Sequence, residues 1–208
     1  MFHLPRVYPI TDTDRSGLSH AEQVHRLIGG GATLIQLRDK HAAPRDFYRQ
    51  AEAALRIARK HNVGLIINDR VDIALALGAD GVHLGQSDLP VAAARWLLGD
   101  RAVVGISTHD FAQAEVAANM PVDYVAFGPI FNTSTKENPE PITGLDALRA
   151  VRAIVGALPL VAIGGVTLAN THQAWDAGAD AVSSIAALLC DPSRIPENLR
   201  QMLGKARH

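Results

Sequence analysis

The sequence predicts an α/β chain of eight strand–helix units, one domain over residues 1–208, closing as a (β/α)8 TIM barrel. Three observations carry the prediction. Short apolar runs, partly β-branched, recur eight times, and several end in a clump of polar residues. Segments of helical period separate them, which implies parallel strands joined by right-handed crossovers. A small turn precedes every second strand: Gly31-Ala32-Thr33, Gly78-Ala79-Asp80, Pro121-Val122-Asp123 and Gly178-Ala179-Asp180. That repeat suits a barrel whose alternate strands fill alternate layers. An open doubly wound sheet accommodates it less naturally, and no GxGxxG follows the first strand to mark a dinucleotide site.

Strand one, near 6–12, holds Val7-Tyr8-Pro9-Ile10 and ends in Thr11-Asp12. A helical stripe of Ala21, Val24, Leu27 and Ile28 follows, stopped by Gly29-Gly30-Gly31. Strand two, 34–39, runs into Gln36-Leu37-Arg38-Asp39-Lys40. Pro44 opens the next helix, where its missing N–H costs nothing, and Phe47, Ala51, Ala54, Leu55 and Ala58 share a face. Strand three, 64–69, ends in Asn68-Asp69, and strand four, 81–85, leads to Gly85-Gln86-Ser87-Asp88. Strand five, 102–107, ends in Ser107-Thr108-His109, and strand six, 124–130, opens onto the long stretch 131–142. Leu145, Leu148, Val151, Ile154 and Val155 form the next stripe. Strand seven, 160–165, ends in Gly164-Gly165, with a helix beginning near Leu168 or Ala169. Strand eight, 181–185, precedes a last helix from about Pro192 to Leu203.

The chain is 48% apolar and 20% charged, enough for a buried core and against disorder. A net charge of −1 without a basic stripe argues against nucleic acid. No apolar run reaches the ~20 residues of a membrane span, and no signal peptide is evident, so the simplest reading is a soluble cytoplasmic protein. A homo-oligomer is left open. The lone Cys190 reads as an inert, half-buried thiol.

If the strands are parallel, their polar ends lie on one face, and chemistry belongs there. Gln36, Arg38 and Lys40 alternate along a strand and share a side. Arg and Lys there suit a phosphate or diphosphate, Arg by bidentate bonding and Lys as a point charge. Asp69 and Asp88, at adjacent strand ends, can share a hard cation such as Mg²⁺; otherwise each caps the helix that follows it. The loop with Thr133, Ser134, Thr135 and Lys136 offers hydroxyls and a cation, as a lid would. Gly164-Gly165 and the end of strand eight suit a second phosphate. His109 lies where it can line a pocket, and His83 reads as a core or layer residue. The nine histidines show no HExxH spacing, and GxSxG is absent.

Taken in order, Gln36 to Lys40, Ile67-Asn68-Asp69, Gly81 to Asp88, Gly105-Ile106-Ser107, Gly128-Pro129-Ile130 through Lys136, and Ile163-Gly164-Gly165 resemble the thiamine phosphate synthase family over nearly the whole chain. The resemblance implies a (β/α)8 barrel that joins hydroxymethylpyrimidine diphosphate to a thiazole phosphate, or its carboxylated form. It implies that Gln36, Arg38, Lys40, Asn68, Ser107 and Lys136 hold the pyrimidine diphosphate, and that Asp69 and Asp88 bind Mg²⁺. Thr133, Ser134, Thr135, Gly165, Ile185 and Ala186 match the thiazole phosphate site. Ala186 departs from the serine of some relatives, which a backbone contact would tolerate. Arg38, Lys40 and Lys136 are then the catalytic clamp on the leaving diphosphate. A thiazole tautomerase on the same barrel, which needs no clamp, and a non-catalytic thiamine-phosphate binder are the alternatives. Thr11 and Asp12 carry no role in this reading.

Overall fold

The structure, a computed structural model, describes residues 3–133 and 140–205. Its strands are β1 (Val7–Pro9), β2 (Leu34–Leu37), β3 (Gly64–Asn68), β4 (Gly81–Leu84), β5 (Val103–Thr108), β6 (Tyr124–Phe127), β7 (Leu160–Ala162) and β8 (Ala181–Ser184). The helices are α1 (Thr13–Ser16), α2 (His20–Gly29), α3 (Pro44–Lys60), α4 (Val71–Leu77), α5 (Val91–Leu98), α6 (Phe111–Ala118), α7 (Gly144–Val155), α8 (Thr171–Asp176), α9 (Ala186–Leu189) and α10 (Ile195–Lys205). All eight strands pair in parallel in the order β1-β8-β7-β6-β5-β4-β3-β2. Between the outer two, Ile10 bridges Gln36, and the Thr11 N–H donates to the Gln36 carbonyl at 2.9 Å. The sheet is thereby closed into a barrel. No described helix is long and apolar enough to cross a membrane.

Helix starts and faces follow local chemistry. Ser19 and Glu22 form a reciprocal capping box at α2. Pro44 opens α3, and the Phe47, Ala51, Ala54, Leu55 and Ala58 stripe is buried. Three readings change. The helix after β7 begins at Thr171, because Asn170 Oδ1 takes the Thr167 N–H at 2.7 Å and Asn170 Nδ2 donates to Gly165 at 3.0 Å, winding a turn there first. A 3₁₀ turn, Pro192–Arg194, precedes α10. Cys190 is exposed rather than half-buried, since it sits just past the end of α9. The four-residue helices α1 and α9 are too short to show a period.

The turn repeat has a physical basis. Asp80, Asp123 and Asp180, each just before an even strand, accept an N–H from the first or second residue of the preceding odd strand: Leu65, Val104 and Leu160, each at 2.8 Å. These donors would otherwise be unpaired at the barrel's bottom rim. Arg95 on α5 and Arg152 on α7 hold Asp123 and Asp180 at 2.7 and 2.6 Å. At the second strand the position is Thr33, whose carbonyl takes the N–H of Gly64 at the start of the following strand at 3.0 Å, as the Asp80 carbonyl takes that of Val103 at 2.8 Å.

Two apolar layers result. One lies between strands and helices, and a smaller one fills the barrel from Tyr8, Leu34, Ile66, Tyr124, Ala126, Val161 and Ala181. A chain of polar bonds crosses above it. Gln36 Nε2 donates to Tyr8 Oη at 3.2 Å, Tyr8 and Tyr124 hydroxyls meet at 3.1 Å, Tyr124 Oη meets His83 Nδ1 at 2.9 Å, and His83 Nε2 meets Ser107 Oγ at 2.8 Å. The imidazole stacks on the Tyr124 ring at 5.5 Å. Gly105 makes room for that ring, since a Cβ there would sit 2.1 Å from Tyr124 Cζ. Burial, opposed by the charge of Asp88, pushes His83 down to about 4.

Two outcomes are expected. Asp123→Ala, which orphans the Val104 N–H and takes from Arg95 its carboxylate partner, costs about 1–3 kcal/mol in urea unfolding at unchanged m; a loss under about 0.5 kcal/mol removes the rim role. His83 protonates near 6.5 when unfolded but near 4 when folded. The unfolded state therefore gains the proton first as pH falls, so this stability is full above about 6.5 and is lost down to about 4. The contribution is roughly 3 kcal/mol, and the wild-type curve should steepen over that window relative to His83→Gln; parallel curves exclude it.

Candidate active site

At the C-terminal ends of the strands lies a cavity of about 720 Å³. Of the residues marked by the sequence, Gln36, Arg38, Lys40, Asn68, Asp69, Asp88, Ser107, Thr133, Gly165, Ile185 and Ala186 all line it. Ser134, Thr135 and Lys136 lie outside the described residues, as does the rest of 134–139 in the loop read as a lid. β2 ends at Leu37, yet Gln36, Arg38 and Lys40 still turn to the cavity. Leu37 is buried in the outer layer, and Asp39 accepts the N–H groups of His41 and Ala42 at 3.0 and 2.8 Å.

Both cations are held by carboxylates. Arg38 Nη1 pairs with Asp12 Oδ2 at 3.3 Å, and Lys40 Nζ with Asp69 Oδ2. Asp12 therefore has a place the sequence did not reveal. One oxygen caps α1 by taking the Arg15 N–H at 3.0 Å, and the other orients Arg38. Thr11 Oγ1 accepts the Arg38 N–H at 3.3 Å and meets His20 Nδ1 at 2.7 Å. His20 is fully buried, and its Nε2 stands 3.6 Å from Asp39 Oδ2. Burial, against the pull of Asp39, lowers its pKa. This packed seam behind β1 and β2 fixes where the backbone of 38–40 runs.

Neither Asp69 nor Asp88 caps a helix. The N-caps of α4 and α5 are Arg70 and Pro90, neither with a side-chain capping bond. Asp69 adopts φ +62°, uncommon for a residue with a Cβ, and its N–H bonds the His83 carbonyl at 2.8 Å. Asp88 Oδ2 accepts the Gly85 N–H at 2.7 Å. Burial first, and then the neighbouring Asp69 carboxylate, raise the Asp88 pKa. Two carboxylates brought together without capping duty suit a hard divalent cation. Among the described residues no group of three or more His, Cys, Asp or Glu could hold a metal, so water or substrate oxygen would complete the shell, as Mg²⁺ favours.

The opposite wall is made of small residues. Gly164 and Gly165 have φ of +83° and +67°. A Cβ on Gly165 would lie 2.3 Å from the Asn132 carbonyl, and one on Gly164 2.4 Å from Pro129 Cβ. Close packing on 129–132 alone requires both glycines. Ile185 is the N-cap of α9 and Ala186 its first residue, so backbone amides stand at this wall. His109 lines the cavity, its Nδ1–H donating to the Gly128 carbonyl at 2.6 Å.

The sequence reading missed Tyr8, Tyr124 and the bridging position of His83. Inward alternation on β1, β4 and β6 was the available signal; which hydroxyl meets which ring depends on the closed barrel.

A family model described as thiamine monophosphate synthase matches residues 7–188. A protein of Koribacter versatilis named thiamine-phosphate synthase is 44% identical over 207 residues, covering 96% of each chain. Another so named, from Chloroflexus aurantiacus, is 44% identical over 202 residues, covering 96% of this chain and 93% of its own. Among solved structures, a thiamine phosphate pyrophosphorylase from Pyrococcus furiosus superposes with a TM-score of 0.85 at 30% identity, over 98% of this chain and 97% of that one. An aldolase from Zymomonas mobilis, at 15% identity and a TM-score of 0.70 over 96% and 92%, shares the fold alone. On the extent of the family match and the identity of these relatives, this chain belongs to the thiamine monophosphate synthase family.

Proposed function

We propose that the chain is a thiamine-phosphate synthase, a transferase that joins hydroxymethylpyrimidine diphosphate to thiazole phosphate and releases diphosphate. The observation that carries this reading is the charge layout of one cavity. Arg38 and Lys40 meet Asp12 and Asp69 on one side, and a glycine-rich wall with backbone amides stands on the other. A tautomerase would have no use for the two cations.

The bond to the diphosphate oxygen breaks first, leaving a benzylic-type cation that the aminopyrimidine ring stabilises. The thiazole nitrogen then donates its pair to that carbon. Such chemistry asks for a clamp on the leaving group and a dry pocket rather than for an acid–base triad. Arg38 and Lys40, with Lys136 from the loop, bind the departing diphosphate. Mg²⁺ held by Asp69 and Asp88 would supply further positive charge to the same oxygens. Asn68, Gln36 and Ser107 orient the pyrimidine. Gly165, Ile185 and Ala186, with Thr133 to Thr135, hold the thiazole phosphate through amides and hydroxyls. The alanine at 186 is tolerated because an amide serves there.

Each cation must exchange its carboxylate for the substrate. Asp69, paired with Lys40 here, would have to give up that bond to hold Mg²⁺, which would free Lys40 for the diphosphate.

Incubating the purified protein with both substrates should yield thiamine phosphate and diphosphate only when Mg²⁺ is present. Absence of a metal-dependent product overturns the reading. Lys136→Ala should slow turnover about 100-fold or more with unchanged thermal stability; parent-like turnover removes it from the clamp. The double variant Asp69→Ala, Asp88→Ala should lose Mg²⁺ binding in calorimetry with substrate diphosphate present, and retained binding would move the metal elsewhere.

A further inference from the structure

Five buried side-chain polar atoms among the described residues lack a hydrogen-bond partner: His20 Nε2, Arg152 Nε, Thr171 Oγ1, Trp175 Nε1 and Ser183 Oγ. Of these residues only Ser183 lines the cavity. It is 4% exposed. The next residue shows the contrast, for Ser184 donates its hydroxyl to the Val166 carbonyl at 2.9 Å and is satisfied within the fold. Leaving a buried hydroxyl unpaired is unfavourable, so an unpaired one on a cavity wall marks a place where a ligand atom completes the bond.

The surroundings define that ligand. Ser183 is registered against Tyr8 on β1, and β7 flanks it on the other side. Ile10, Val161 and Ile163 line the same stretch of cavity, and no Lys or Arg of β1, β7 or β8 does. A phosphate would be poorly held here. A flat apolar body with a polar edge fits. Across the strand seam, Gln36 Nε2 donates to Tyr8 Oη at 3.2 Å, placing the amide beside the same floor.

Two heteroaromatic rings enter the reaction proposed above. The thiazole nitrogen must keep its lone pair free to attack, so a hydrogen bond to it would oppose the chemistry. The aminopyrimidine carries an amine and two ring nitrogens, which would be orphaned in an apolar pocket without partners. We propose that the Ser183 hydroxyl hydrogen-bonds the polar edge of the aminopyrimidine ring, making Ser183 a specificity-determining residue for that substrate. This rests on the synthase reading. A site built to bond a polar edge discriminates strongly against a ring that lacks it.

The test compares Ser183→Ala with the parent by steady-state kinetics on both substrates, and by calorimetry with the pyrimidine alcohol lacking diphosphate. The expected result is a rise of about three- to tenfold in KM for the pyrimidine diphosphate and a matching loss of affinity for the alcohol. The thiazole phosphate KM and the melting temperature should stay close to the parent's. Unchanged pyrimidine KM and alcohol affinity in an active enzyme overturn the inference and leave the synthase reading intact. A loss confined to thiazole phosphate, or a lower melting temperature with unaltered binding, also overturns it. A parent that makes no product refutes the synthase reading, and the calorimetric comparison then still decides whether Ser183 contacts the pyrimidine.

Discussion

The polar chain from Gln36 through Tyr8, Tyr124 and His83 to Ser107 is the constraint on which the interior depends. It ties β2, β1, β6, β4 and β5 across the barrel, and both its ends are cavity residues. Two of its members, Tyr8 and Tyr124, also belong to the apolar cluster that fills the barrel. A neutral imidazole has one donor and one acceptor, so of Tyr124 and Ser107 one donates to His83 and the other accepts from it. The low pKa of His83 keeps it neutral over the physiological range. Tyr124 can stand upright only because Gly105 offers no Cβ beneath its ring. Floor, depth and orientation of the cavity are therefore one cooperative object.

Charge is handled differently above that floor. Each cation on the 38–40 segment has a carboxylate partner on a neighbouring strand end, Asp12 or Asp69. These pairs are partly exposed, so they contribute little to stability. Their consequence is positional: they hold long, flexible side chains near the place where an anion would arrive, which lowers the ordering cost of binding. Thr11 and His20, packed behind the segment, keep its backbone in register.

The bottom rim shows the same economy in another form. Single aspartates at the turns before β4, β6 and β8 cap neighbouring strands and, in two cases, anchor the Arg of a helix. Stability devices thus sit at one end of the barrel and the polar, partly charged machinery at the other, the division typical of this architecture.

Much of this was legible in the residues. The strand runs, the α3 stripe behind Pro44 and the clustering of Gln36, Arg38, Lys40, Asn68, Asp69, Asp88 and Ser107 at strand ends follow from period and parallel order, which are local properties of the chain. The aspartate turn repeat was visible too, though its meaning required knowing which strand lies beside which. The start of α8 was misplaced, since a side-chain turn at Thr167 and Asn170 competes with the helix. Tertiary structure alone decided that Asp69 and Asp88 are not caps, that Asp12 holds Arg38, and that Ser183 faces the cavity unpaired while Ser184 does not. The physical reason is closure. Alternation tells which side of a strand a residue faces, but a hydroxyl or carboxylate acquires its partner from a strand or loop distant in sequence, and only the shear of the closed barrel brings that partner within 3 Å.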